Sequence, residues 1–169
     1  MVQHNVLDAE WLVKQVATDL KRYCSEKRLE DAAIVGIHTG GVWIANRLHT
    51  LLGLSHPPGE LDINFYRDDF SRKGLHPVVH PSSLPFEVDG KDILLVDDVL
   101  HTGRTIRAAM NELFDYGRPA SIHLIALVER NGRELPIQAD VCGHRLVLAP
   151  EQHIKLGGPD PLTLEIQAS

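Results

Sequence analysis

The stretch ILLVDDVLHTGRTI, residues 93–106, places four apolar residues directly before two adjacent aspartates, Asp97 and Asp98. An apolar run of this length is typical of a strand that is buried on both faces, as in the parallel sheets of α/β proteins. A turn rich in threonine and glycine follows, and then a segment with apolar residues at helical spacing. We therefore predict a strand that ends at the aspartate pair, a tight turn, and a helix from about Arg104 to Tyr116.

The rest of the chain repeats this order of strand, turn and helix. The patterns predict a helix over 7–25, a strand over 32–38 with a helix that ends at Gly53, a strand over 61–66, a long polar segment over 67–92 and a strand over 120–130. Repeated units of this kind predict an α/β fold with a doubly wound, mainly parallel sheet flanked by helices. Ligands of such sheets bind at the carboxyl ends of the strands, which here precede the loops 38–41, 97–105 and 129–138.

Composition limits the class of protein. The chain has 169 residues, of which 43% are hydrophobic, and a formal net charge of -6. These values are typical of one globular domain, and we predict a single domain over 1–169. The negative charge gives no overall attraction to nucleic acid or to anionic membranes. The start of the chain lacks the pattern of a signal peptide, so we expect a cytoplasmic protein.

The residues after the strand predict a phosphate site. The backbone N–H groups from Leu100 to Thr105, two threonine hydroxyls and the start of a helix together form an anion-binding nest. Asp97 and Asp98 accept hydrogen bonds only, so they suit a sugar diol, a Mg²⁺ ion with its waters, or a developing positive charge. A ligand with a phosphate at one end and a pair of hydroxyl groups beside it is a ribose 5-phosphate. In the alternative interpretation the two aspartates only cap the next helix.

The same residues resemble a known family. ILLVDDVLHTGRT is similar to the phosphoribosyl-pyrophosphate signature of type I phosphoribosyltransferases. NFYRDDFS, GRPASIHLIALVERNGRELPIQAD and GIHTGG resemble the PyrR family, pyrimidine operon attenuators that also act as uracil phosphoribosyltransferases. The resemblance implies the type I phosphoribosyltransferase fold with a small hood and a flexible loop, Mg²⁺ as cofactor, and a homodimer or homotetramer. Its implied ligands are uracil, phosphoribosyl pyrophosphate, UMP or UTP, and a pyrimidine-operon mRNA.

The resemblance also assigns roles to residues. Asp97 and Asp98 would be catalytic and would hold the ribose hydroxyls directly or through Mg²⁺. The 5-phosphate would lie on Val99, Leu100, His101, Thr102, Gly103, Arg104 and Thr105. The pyrophosphate loop would be Thr39, Gly40 and Gly41. The flexible loop would contribute Arg67, Arg72 and Lys73. The base or nucleotide would contact Val128, Glu129, Arg130 and Ile154, and RNA would contact Arg133.

The chain departs from the family pattern in two places. The family commonly has Arg where this chain has Gly40, and losing such a contact to the leaving group costs about 2 to 4 kcal/mol of transition-state stabilisation unless His38 or a loop residue compensates. The RNA-binding face of the family has His, Arg or Lys at the positions of Gly132, Gln138 and His144. These departures favour weak catalysis and weak RNA binding. The alternative function is therefore a non-catalytic or weakly catalytic sensor of UMP or UTP.

Overall fold

The structure, a computed structural model, describes residues 7–63 and 82–169. Its helices and strands are, in chain order, α1 (Ala9–Lys27), β1 (Ala33–Ile37), α2 (Gly40–Leu52), β2 (Gly59–Leu61), β3 (Asp92–Leu100), α3 (Arg104–Tyr116), β4 (Ser121–Arg130), β5 (Val141–Leu146), β6 (Gln152–Gly157) and β7 (Thr163–Ala168). None of the helices in these two ranges is long and apolar enough to cross a bilayer.

Five strands form one sheet in the order β2-β1-β3-β4-β5, and every neighbouring pair is parallel. The chain moves outward from β1 to β2, returns past β1 to β3, and then continues to β4 and β5. The order therefore reverses between β1 and β3, and the loops that follow these two strands leave the same edge of the sheet. This switch point is where a doubly wound sheet binds its ligand.

Helices cover both faces of the sheet, as the sequence predicts. Leu94 and Val96 of β3 lie in an apolar cluster with α1 and α2, whereas Ile93 and Leu95 lie in a second cluster with α3. Because successive side chains of a strand point to opposite faces, a continuous apolar run fills both clusters. The buried position of β3 fixes the place where the aspartate pair leaves the core.

The last two strands form a small antiparallel hairpin beside the main sheet. Its apolar side chains, Ile154, Leu156 and Leu164, are buried in the cluster that contains α1 and α2. The guanidinium of Arg130 at the end of β4 donates to the backbone oxygen of Gln152 at 2.7 Å. The hairpin therefore lies over the carboxyl end of the sheet on the side of β4, in the position expected for a hood.

Two strand boundaries differ from the sequence prediction. Of the described residues in the strand predicted over 61–66, only Leu61 lies in a strand, because β2 spans Gly59–Leu61 and its parallel partner β1 ends opposite Leu61. Asp62 has left the sheet, and its N–H donates to the hydroxyl of Ser82; residues 64–66 lie outside the described ranges. In β3 the ladder with β4 continues through Leu100. The aspartate pair is therefore held inside a paired strand rather than at its end.

Candidate active site

Asp97 and Asp98 lie three and two residues before the end of β3. Asp97 is buried, with 6% of its surface exposed, and Asp98 is partly buried. The N–H of Asp98 donates to Oδ1 of Asp97 at 2.8 Å, and the N–H of Val99 donates to Oδ1 of Asp98 at 2.8 Å. These bonds fix the orientation of both carboxylates at the switch point. The arrangement presents two adjacent acceptor groups to a ligand.

The glycines of the predicted pyrophosphate loop lie directly against the aspartate pair. A Cβ atom on Gly40 would lie 2.4 Å from Oδ2 of Asp98, and one on Gly41 would lie 2.5 Å from the backbone oxygen of Val96. Only glycine fits at such distances without movement of a neighbour. The turn after β1, in which the peptide bond between His38 and Thr39 is cis, therefore meets the end of β3 by close backbone approach.

The predicted phosphate nest follows β3 and surrounds a cavity of about 130 Å³. Its lining includes Asp97 and residues 99–103 together with Thr105. Gly103 has a φ of 95°, a conformation that favours glycine, and precedes the first residue of α3. Within the described ranges, the N–H groups of Thr102, Gly103 and Thr105 donate to no protein acceptor. These donors and the start of a helix suit a phosphate group.

Two residues of the nest, Arg104 and His101, have side chains that can carry a positive charge. Arg104 is exposed, and its Nε lies 3.5 Å from a carboxylate oxygen of Glu134. The pKa of His101 is lowered from 6.5, first by burial and then by the charge of Arg130. The charged form of the His101 ring is therefore disfavoured, and the backbone of the nest provides the donors that a phosphate would meet.

The residues predicted to read the base lie on the next strand and on the hood. The side chain of Val128 is fully buried, and Ile154 is buried in the same apolar cluster. The carboxylate of Glu129 pairs with Arg133 and with Arg145. Since β4 pairs with strands on both sides, the backbone groups of Val128 and Glu129 already take part in the sheet. Their role toward a base stays a prediction.

The remaining predicted residues divide into two groups. The guanidinium of Arg133 donates to the backbone oxygen of His101 and to Glu129. Gly132 has a φ of 107°, and a Cβ atom there would lie 2.8 Å from Nε2 of His101. A basic side chain at position 132, as the family has, would therefore displace the ring of His101 in the nest. The flexible-loop candidates Arg67, Arg72 and Lys73 lie outside the described residues.

Some contacts at the site had no signal in the sequence. Nε2 of His38 lies 3.3 Å from a carboxylate oxygen of Glu60, which joins the pyrophosphate loop to β2. The N–H groups of Glu134 and Leu135 donate to the backbone oxygen of Thr102 at 3.0 and 3.1 Å. The run VERNGRELP contains Glu134 and Leu135, but spacing along the chain does not show that their N–H groups meet the oxygen of Thr102.

The acidic side chains of the site also indicate how a metal ion could bind. In the described ranges, no group of three or more His, Cys, Asp or Glu side chains could hold a metal ion. Mg²⁺ usually binds one or two carboxylates and completes its shell with water and phosphate oxygens of the substrate. The paired carboxylates of Asp97 and Asp98 beside the nest fit this manner of binding.

Comparison with known proteins identifies relatives along most of the chain. Residues 3–155 match the phosphoribosyl transferase domain family. The bifunctional protein PyrR of Nitrosococcus oceani is 58% identical over 163 residues, covering 95% of this chain and 92% of that protein. The bifunctional protein PyrR of Pseudomonas syringae pv. tomato is 55% identical over 156 residues, covering 92% of each chain.

Solved structures show the same fold at lower identity. The purine phosphoribosyltransferase of Pyrococcus horikoshii aligns with a TM-score of 0.60 at 25% identity, covering 83% of this chain and 88% of that one. A hypoxanthine phosphoribosyl transferase of Trypanosoma cruzi aligns with a TM-score of 0.71 at 17% identity, covering 98% of this chain and 90% of that one. The chain thus shares its fold with these two proteins.

Proposed function

The chain belongs to the phosphoribosyl transferase domain family and to its PyrR group, and from this premise we propose that it is a uracil phosphoribosyltransferase that also regulates pyrimidine biosynthesis genes. The reaction converts uracil and phosphoribosyl pyrophosphate to UMP and pyrophosphate. The regulatory activity responds to uridine nucleotides. Both activities would take place in the cytoplasm, in a homodimer or homotetramer.

One observation carries the enzymatic proposal. The aspartate pair, the phosphate nest and the glycine turn after β1 converge at the switch point of the sheet. A ribose 5-phosphate bound with its phosphate in the nest would have its 2′ and 3′ hydroxyls toward Asp97 and Asp98. Its C1 would then face the space between the glycine turn and the hood. The 5-phosphate, the ribose hydroxyls and the pyrophosphate of the donor would therefore face the nest, the aspartate pair and the glycine turn, respectively.

The chemistry is a displacement at C1 of the ribose. The C1–O bond to pyrophosphate breaks, a bond forms between C1 and a ring nitrogen of uracil, and the proton of that nitrogen passes to the departing pyrophosphate or to solvent. Positive charge develops on the ribose in between, and the nearby carboxylates of Asp97 and Asp98 stabilise it. The nest holds the 5-phosphate and so fixes the distance from C1 to the carboxylates. Mg²⁺, bound through these carboxylates and the donor, would stabilise the departing oxygens.

The leaving group would meet mainly backbone donors. Gly40 and Gly41 are the first residues of α2, where the free N–H groups and the helix dipole favour an anion. Gly40 contributes no cation, and the ring of His38 beside Glu60 is the nearest titratable side chain of this turn among the described residues. We therefore expect turnover to be slow relative to a transferase with Arg at position 40.

The test of catalysis follows UMP formation from uracil and phosphoribosyl pyrophosphate in the presence of Mg²⁺. Asp97→Asn and Asp98→Asn keep the size of each side chain but remove its charge, so the rate should fall at least about 100-fold. Asp115→Asn on the exposed surface of α3 is the matched control and should retain the native rate. Native-like rates from both site variants would contradict the proposed mechanism.

The alternative function is a nucleotide sensor that turns over slowly or not at all, which the missing cation at Gly40 favours. If the native chain forms no UMP but binds UMP in a calorimeter, the sensor is the better description. Binding of a pyrimidine-operon leader RNA, measured with and without UMP at several salt concentrations, tests the regulatory part. Because each phosphate contact steepens the salt dependence, a shallow slope would indicate few basic contacts to RNA.

A further inference from the structure

Two successive backbone carbonyls of the phosphate nest accept hydrogen bonds from the same segment of the chain. The oxygen of His101 accepts from the guanidinium of Arg133. The oxygen of the next residue, Thr102, accepts from the N–H groups of Glu134 and Leu135 at 3.0 and 3.1 Å. Two successive peptide groups of the nest are therefore attached through their carbonyls to residues 133–135, the segment that follows β4.

These attachments determine where the N–H groups of the nest point. The peptide bonds of this turn are trans, and a planar trans peptide directs its C=O and its N–H to opposite sides. With both carbonyls turned toward the segment 133–135, the N–H groups of Thr102 and Gly103 point away from it. The phosphate cavity is lined by the nest itself and by Asp97 without residues 131–137, which agrees with N–H groups that point away from that segment into the cavity.

Arg133 is itself held in place. Its second guanidinium nitrogen donates to the carboxylate of Glu129, which also accepts from Nε of Arg145 at 2.9 Å. Only 25% of the Arg133 side chain is exposed, compared with 67% for Arg145. The planar guanidinium bridges a carboxylate on β4 and a carbonyl in the nest, and an ammonium group on a lysine cannot reproduce this fork.

We propose that Arg133 is a positioning residue for the 5-phosphate of the donor: by holding the carbonyl of His101, it aims the backbone N–H of Thr102 into the phosphate cavity. Arg133 does not touch the phosphate in this role. The proposal rests on the proposed function, because it requires a 5-phosphate ligand in the nest. It also gives Arg133 a role that is separate from contact with RNA.

The experiment compares two ligands in the full-length chain. UMP carries the 5-phosphate, whereas inorganic pyrophosphate tests the glycine turn at the other end of the site. Arg133→Met should weaken UMP binding by about 10- to 100-fold, as expected for loss of a well-aimed hydrogen bond to a charged group, and should leave pyrophosphate binding unchanged. Arg133→Lys should recover only part of the loss. Arg145→Met, which removes the other partner of Glu129, should bind both ligands as the native chain does.

The outcomes separate this inference from the proposed function. UMP binding by Arg133→Met and Arg133→Lys at native affinity would overturn the inference alone and would leave Arg133 as a candidate for RNA contact. Equal losses for UMP and pyrophosphate, together with a lower melting temperature, would show a general structural role and would also overturn it. A native chain that binds neither UMP nor phosphoribosyl pyrophosphate would overturn the proposed function and, with it, this inference.

Discussion

Replacing Gly40 by alanine tests the contact between the glycine turn and the aspartate pair. The new Cβ would lie 2.4 Å from Oδ2 of Asp98, where ordinary contact begins near 3.4 Å, so the carboxylate must move by about 1 Å. That movement disturbs the 2.8 Å hydrogen bond from Val99 to Oδ1 of Asp98. A hydrogen bond to a charged group contributes about 1.5 to 3 kcal/mol. At 1.36 kcal/mol for each factor of ten, kcat/KM should fall about 10- to 150-fold.

The neighbouring glycine provides a contrasting variant. A Cβ atom on Gly41 would meet the backbone oxygen of Val96 at 2.5 Å, and a backbone atom inside β3 cannot rotate away. Gly41→Ala should therefore lower stability by about 1 to 3 kcal/mol, with roughly 2 to 4 °C of melting temperature lost per kcal/mol. Gly40→Ala should lose less stability than Gly41→Ala, because the atoms that it meets belong to the side chain of Asp98 rather than to the backbone of β3.

The assay is the rate of UMP formation at varied phosphoribosyl pyrophosphate, measured beside thermal unfolding for both variants. The reasoning predicts that Gly40→Ala loses activity with the smaller loss of stability, and that Gly41→Ala has the larger loss of stability. If Gly40→Ala keeps the native kcat/KM, the position of the Asp98 carboxylate does not limit the reaction and the argument from this contact is wrong.

Three further predictions concern the nest, the hood and the surface. Gly103→Ala forces a non-glycine residue to a φ of 95°, which should cost about 1 to 2 kcal/mol and weaken UMP binding more than pyrophosphate binding, as calorimetry would show. Arg130 is buried and donates to the backbone oxygen of Gln152, so Arg130→Met should lower stability by about 1 to 3 kcal/mol in chemical denaturation; an unchanged midpoint would contradict this. The hydrogen bond from Lys91 lowers the pKa of Asp31 from its usual 3.8, so the carboxylate stabilises the fold above that pH and the effect disappears as the pH falls through the lowered pKa. Asp31→Asn should therefore reduce the unfolding free energy at neutral pH but not in strong acid, and an equal reduction at both would refute the linkage.

Local patterns in the sequence determined the order of elements and the class of fold. The apolar run of β3 predicted a strand buried on both faces, and the helix predicted after it begins at Arg104 and ends at Tyr116 as observed. The Thr and Gly residues between them marked the nest. These features depend on neighbours within a few residues, because backbone propensity and side-chain periodicity act over that distance.

Tertiary structure decided which groups meet. β2 ends at Leu61, opposite the last residue of its partner β1, so the strand predicted over 61–66 does not continue at residues 62 and 63. The close approach of Gly40 to Asp98 and the bond from Arg133 to the carbonyl of His101 join segments that are far apart in the chain. Such contacts depend on strand order and on the directions in which backbone groups point, which only the assembled sheet determines. The sequence therefore predicted which loops lie at the carboxyl ends of the strands, whereas packing decided which groups meet there.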